Sequence, residues 1–273
     1  MSRVWFSQPL ETTATYWRLL RTDGVTLGFT THDQNLWFEG VNHAAAPGMM
    51  PAAIRRSAGF DDDSAEVQGA IVDYAITADD LNRGRYDGAT IIVGLVDWQT
   101  LENQPVYSGV IGAITEEAGS FTAALASRKV GLALDPVPRT SPTCRANFCE
   151  PGCGLSQSRF VHDAVLSAQN QADNAVSLIC AAPANALVGG KLRWLDGPYA
   201  GIAMHILGVN NGFFVLDSPI DAPLPAGLRA NVVEGCDHTL QTCSSRFANA
   251  VNFQGEPFLP GNDLIVRYGL STG

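Results

Sequence analysis

The six cysteines of this chain are gathered rather than scattered, and their placement restricts what its second half can become. Cys144, Cys149 and Cys153 lie in the run TCRANFCEPGCG, Cys236 and Cys243 lie in GCDHTLQTC, and Cys180 stands alone in VSLICAA. The first 143 residues hold none. The spacings are C-x4-C-x3-C and, some 80 residues on, C-x6-C. Thiols supplied at short spacing from two ends of one segment bind a metal or a cluster, or form disulfides. The N-terminal MSRVWFSQPLETT has no basic start followed by an apolar core, so no export signal is expected. Structural disulfides are rare in a reducing cytoplasm, which turns attention to metal or iron–sulfur ligation.

Spacing alone leaves several readings open. A zinc site draws on C-x2-4-C knuckles, often with histidine. Here C-x4-C would serve one half, C-x6-C is loose for the other, and His238 is a candidate substitute. An iron–sulfur cluster needs four thiolates and accepts looser loops, because it is larger than a single ion. A catalytic cysteine needs a paired histidine and an orienting partner that the sequence does not display. Cys180, in an apolar run, reads as a small buried hydrophobe.

The rest of the pattern is β. Strand-like runs recur at 15–21, 25–31, 35–41, 65–76, 89–98, 105–115 and 120–127, several of them alternating apolar and polar residues. Asp23-Gly24 is a hairpin turn signal. Thr77 reads as the N-cap of one short helix ending near Gly84. DPVPRTSPT (135–143) holds three prolines in nine residues and reads as a linker. Beyond it, β-like runs continue to about 235, with Asn210-Asn211-Gly212 as a second hairpin turn, and 239–253 reads as a helix. The expectation is a mainly β protein with few short helices. It has two β-rich, barrel or sandwich-like domains, 1–138 and 139–273, the second closed by a cysteine-ligated cluster. A barrel between the two cysteine runs would bring its ends together.

Composition excludes several roles. Hydrophobic residues at 46% allow a substantial core, and the formal net charge of −10 argues against a nucleic-acid-binding or anionic-membrane surface. No apolar stretch approaches a membrane span. The acidic run 61–63 reads as a solvated loop. His32-Asp33 has no G-x-S-x-G partner and reads as a turn. Val188-Gly189-Gly190 departs from a phosphate-binding loop. Trp37, Trp98 and Trp194 read mostly as core, and as the residue type that anchors subunit interfaces.

Longer strings carry a family resemblance. They are Cys144-Arg145-Ala146 with Cys153-Gly154, and Gly235-Cys236-Asp237 followed by Cys243-x2-Arg246-Phe247-x-Asn249-x2-Asn252-Phe253-x-Gly255-Glu256-Pro257-Phe258-Leu259-Pro260-Gly261-Asn262-Asp263. In the first half, the 13–33 run holding Trp17-Arg18-Leu19, Asp23-Gly24, Leu27-Gly28-Phe29-Thr30 and His32-Asp33 joins them, as does Asp80-Leu81-x2-Gly84-x-Tyr86-Asp87-Gly88-Ala89. Together these strings resemble the tail-tip and baseplate hub proteins of long-tailed phages. That group includes the hub proteins of gene transfer agents and, more widely, the lambda tail tip protein L.

The resemblance implies a [4Fe–4S] cluster held by Cys144, Cys153, Cys236 and Cys243. Cys149 departs from the family pattern, standing in Phe148-Cys149-Glu150, and is the alternate ligand. Zinc is the alternative cofactor. The implied role is structural and non-enzymatic: a tail-baseplate hub, expected as a homotrimer, assembled in the bacterial cytoplasm into a virion or gene transfer agent particle. Its implied partners are the distal tail protein and the tip or fibre (megatron-like) protein, with DNA only as passing cargo. The competing class is a tail-associated cell-wall hydrolase or thiol peptidase, which requires an unligated cysteine within reach of a histidine. A zinc-stabilised β-protein is a third.

Overall fold

The computed structural model describes residues 11–45, 50–51, 65–70, 76–117, 120–127 and 137–258. The acidic run 61–63 and everything from 259 onward, including the end of the 235–263 string, lie outside them. The chain divides into two compact units, Met1–Pro136 and Val137–Gly273.

The first unit is a nine-stranded sheet. Its strands are β1 (Thr13–Leu20), β2 (Thr26–Thr30), β3 (Leu36–Phe38), β4 (Val41–Ala45), β5 (Met50–Pro51), β6 (Ala65–Ala70), β7 (Thr90–Asp97), β8 (Asn103–Glu117) and β9 (Ser120–Ser127), with helix α1 (Ala78–Asn82) between β6 and β7. Their order across the sheet is β3-β4-β2-β1-β7-β8-β9-β6-β5. The β2–β4 pair is parallel. Strand β1 is covered on both faces, which explains why Tyr16 and Trp17, adjacent and oppositely directed, are both fully buried. Trp17 and Leu19 join Phe29, Tyr86, Ile91 and Val93 on one side, while Ala14 and Tyr16 join Leu36, Phe38 and Val96 on the other. Burying each such large side chain contributes roughly 1.5–3 kcal/mol.

One expectation needs correction here. The run 35–41 is not one strand: Glu39 and Gly40 both take positive φ, 50° and 76°, so the chain reverses into the β3–β4 hairpin. Of the run foreseen over 65–76, Ala65–Ala70 is strand, 71–75 lie outside the described residues, and Ile76 lies in a bend. The helix cap is as expected, with the Thr77 side chain accepting from the Asp80 amide.

The second unit holds β10 (Val161–Asn170), β11 (Ala175–Cys180), α2 (Ala184–Leu187), β12 (Lys191–Trp194), β13 (Ala203–Asn210), β14 (Phe213–Leu216), β15 (Arg229–Val233) and α3 (Leu240–Ser245). Six of these strands form a closed barrel in the order β10-β11-β14-β13-β12-β15. Closure removes free edges. Its interior is filled by Leu166, Val176, Leu192, Met204, Ile206, Phe214 and Val232 from alternating positions, with Leu187 of α2. The β13–β14 turn has Asn211 and Gly212 at φ 50° and 80°, the hairpin the sequence announced. Trp194 belongs to this core, 1% exposed, so it anchors no surface. Trp98 lies beside the His32 ring at 5.0 Å, and Trp37 is the open one at 64% exposure. Cys180 packs against the barrel core from β11.

The helix expected over 239–253 is shorter. It runs Leu240–Ser245, and Ala248 at φ 49° turns the chain before a single 3-10 turn at Ala250–Asn252. No helix among the described residues is long and apolar enough to cross a membrane.

Candidate functional site

Barrel closure sets the site. Strand β10 begins where β15 ends, with Val161 opposite Val233 and His162 opposite Val232. The cysteine loop that precedes β10 and the cysteine run that follows β15 therefore emerge at the same end of the barrel. One pocket there is lined by Cys144, Cys153, Cys236 and Cys243 together. These are the four residues the sequence singled out. Cys149 lines a different cavity of about 330 Å³, beside Glu150, Lys191, His205 and Glu234. Phe148 and His238 form walls of both.

Hydrogen bonds fasten the two cysteine runs to each other. The Cys144 amide donates to the His238 carbonyl at 2.8 Å. The His238 ring faces back, with Nδ1 3.0 Å from the Cys144 carbonyl. A carbonyl only accepts, so that nitrogen carries the proton and His238 serves here as a strap. The Arg145 amide donates to the Gln254 carbonyl at 2.9 Å, and the Arg145 guanidinium clamps Glu256 with two bonds of 2.7 and 3.0 Å. The Glu256 amide in turn donates to the Ser141 carbonyl. Behind the pocket Phe148, Phe160 and Phe247 meet in a three-ring contact with centroid separations of 4.8–5.4 Å. Helix α3 is capped by Thr239, whose side chain accepts from the Thr242 amide, and its Cys243 is buried.

The sulfurs have donors aimed at them. The His238 amide donates to Cys236 Sγ at 3.4 Å and the Gln254 amide to Cys144 Sγ at 3.3 Å. Asn249 Nδ2 lies 3.7 Å from Cys153 Sγ. Burial pushes the Cys236 and Cys243 thiols above the ordinary cysteine value, helped by the Asp237 charge and the nearby thiols at Cys236 and by the nearby thiols at Cys243; the His238 amide bond opposes this at Cys236. The pocket lining includes no Lys or Arg. Thiolates gathered there would repel one another, with the Arg145 charge near Cys144 as an offsetting cation. A bound cationic centre would add to that compensation and draw the protons off.

Among the described residues, no three His, Cys, Asp or Glu side chains stand close enough to ligate one metal ion. The free volume at the pocket's centre is about 20 Å³. The four thiols line one small shared cavity. The donor set fits a thiolate-bound group, and such a group would set the sulfurs further from their common centre.

Cys149 is in a different state. Its backbone has φ 63°, a left-handed conformation that is uncommon for a residue with a Cβ. Burial, with Cys153 and Cys236 nearby, pushes its thiol up to about 11. Sequence reasoning did not assign roles to Gly235, Asn249 or the phenylalanine triad, although Gly235, Phe247 and Asn249 all stand in the 235–263 string.

Comparisons with known proteins agree with this architecture. Residues 3–156, more than half of the chain, match the family described as baseplate hub protein, N-terminal attachment domain. Residues 185–263 match the family described as phage conserved hypothetical protein BR0599. Among solved structures, a chain of the virion of a native gene transfer agent (GTA) particle is similar with a TM-score of 0.84 at 30% identity, over 100% of this chain and 97% of that one. No curated protein matches. A hub-domain match over the first unit and a virion chain that follows the whole fold lead to one assignment: the chain belongs to the phage baseplate hub protein family.

Proposed function

We propose that the chain is the structural hub of a phage-like tail baseplate, carried in a virion or gene transfer agent particle. In this reading it forms a homotrimeric ring joining the distal tail protein to the tip or fibre protein. The observation that carries it is the likeness to a virion chain along the full length. The net charge of −10 suits a hub that DNA must traverse, because an acidic wall repels phosphates and lets the duplex pass.

The second unit, in this proposal, holds a [4Fe–4S] cluster on Cys144, Cys153, Cys236 and Cys243, acting as a structural clasp. Four thiols on one pocket, N–H donors on three of them and aromatic walls support that reading. When bound, the group supplies cross-links between the 144–153 loop and the run after β15. The chain's own part is to present the thiols, donate N–H groups to them and shield them with Phe148 and Phe247.

The thiol-peptidase alternative finds little support. Cys149 shares its cavity with His205 and His238, the pairing that alternative requires, but burial pushes its thiol up to about 11, whereas a nucleophile needs ready access to the thiolate.

The test is location. Particles from a producing culture are labelled with antibody against this chain and imaged. The expected result is label at one end of the tail. Chain recovered only outside particles, or purified chain that degrades peptidoglycan, overturns the proposal.

A further inference from the structure

The string Arg246-Phe247-x-Asn249-x2-Asn252 ends the cysteine region, and its polar members are not spent on the fold alone. Arg246 reaches the barrel, donating to the Gly235 and Ala186 carbonyls at 3.1 Å each and pairing with Glu234. Asn249 is turned the other way, into the cysteine pocket, and is 6% exposed. The chain reaches this position because Ala248 takes φ 49° and breaks away from α3, after which the Asn249 amide donates to the Cys243 carbonyl at 2.9 Å.

The orientation of the Asn249 side chain is fixed by its neighbour. Asn252 Nδ2 donates to Asn249 Oδ1 at 2.7 Å. The carboxamide oxygen is thereby used, and the NH2 group must face the opposite side. It has two hydrogens, and two acceptors of Cys153 are there: the carbonyl at 2.8 Å and Sγ at 3.7 Å. Room for the Asn252 amide is kept by Gly154 at φ 71°, where a Cβ would sit 3.2 Å from Asn252 Nδ2. One buried side chain thus binds the loop of one cysteine while its own backbone binds the helix of another.

The other two sulfur donors, Gln254 and His238, act through backbone amides, which no substitution but proline removes. The donor to Cys153 is a side chain. Hydrogen bonds to ligand sulfurs shift the potential of a cluster and strengthen its retention.

We propose that Asn249, oriented by Asn252, is a positioning residue for the iron–sulfur cluster, setting through Cys153 how firmly the cluster is kept and at what potential it is reduced. This rests on the cluster reading given above.

The test uses the full chain purified without oxygen. Wild type, Asn249→Leu and Asn252→Ala are compared for iron and sulfide content, rate of iron release to a chelator, and reduction potential by spectroelectrochemistry. Leucine keeps the branched shape of Asn249 and removes its donors. Asn252 is exposed, so its alanine variant keeps the fold if the buried substitution does not. The expected result is iron release faster by on the order of tenfold in Asn249→Leu, with a more negative potential, and a smaller shift in the same direction in Asn252→Ala. Wild-type potential and release rate in both variants overturn this inference alone. Faster release at an unchanged potential also overturns it, since that is what a purely mechanical tie gives. Wild type lacking iron and sulfide overturns the cluster reading and this inference with it.

Discussion

His43 shows how one residue couples the hub fold to pH. Its ring is fully buried, stacked on Phe38 at 3.9 Å, and accepts from Arg18 Nε at 2.9 Å through Nε2. Burial, reinforced by the Arg18 charge, lowers its pKa from 6.5 to about 4. The unfolded chain therefore binds a proton that the folded chain refuses, and stability is full above about 6.5 and declines as pH falls toward 4. At about 1.4 kcal/mol per pKa unit the loss reaches roughly 3 kcal/mol. Glu39, held below its ordinary value chiefly by the Arg18 hydrogen bond, adds a loss in the same direction at still lower pH. Urea unfolding of the first unit between pH 7.5 and 4.5 should show this slope, and His43→Asn should flatten it. An unchanged slope in the variant assigns the acid sensitivity elsewhere.

At the scale of elements, the crossing between the α2–β12 connection and the exit of β15 decides where the second cysteine run begins. A Cβ on Gly235 would lie 1.8 Å from the Val188 carbonyl, and one on Gly190 would lie 2.0 Å from the Val233 carbonyl. The close approach lets the Gly235 amide donate to the Ala186 carbonyl at 2.8 Å. Gly235→Ala should lower the stability of the second unit by about 3 kcal/mol, the upper end of overpacking costs, while leaving the first unit unchanged; denaturant unfolding reads both. A variant as stable as wild type would mean that the crossing relaxes freely.

The same scale shows what was legible. Strands β1, β7, β9 and β13 could be read because alternation is local, and the two hairpins because Asp-Gly and Asn-Gly turns carry their own geometry. The meeting of the cysteine runs followed once the intervening segment was taken for a barrel. The break at Glu39-Gly40 carries a local signal, since Glu and Gly interrupt the apolar Leu36-Trp37-Phe38, but the strand reading of 35–41 runs straight through it. The early end of α3 was hidden because Ala248 is turned by long-range bonds of Asn249, not by any local breaker. Helix α2, only four residues long, has no period to read.

The described residues form two units with separate cores, a sheet whose strand β1 is covered on both faces and a closed barrel with four thiols on one pocket. In the proposed clasp the four thiols tie the second unit together, and Cys149, on its own cavity, stays out of the ligand set. Iron and acid-labile sulfide measured on full-length chain purified without oxygen test this most directly, alongside Cys149→Ser and Cys236→Ser. The expected result is about four iron and four sulfide per chain in wild type and in Cys149→Ser, and loss of both in Cys236→Ser. Stoichiometric zinc without sulfide, or iron retained unchanged in Cys236→Ser, would contradict it.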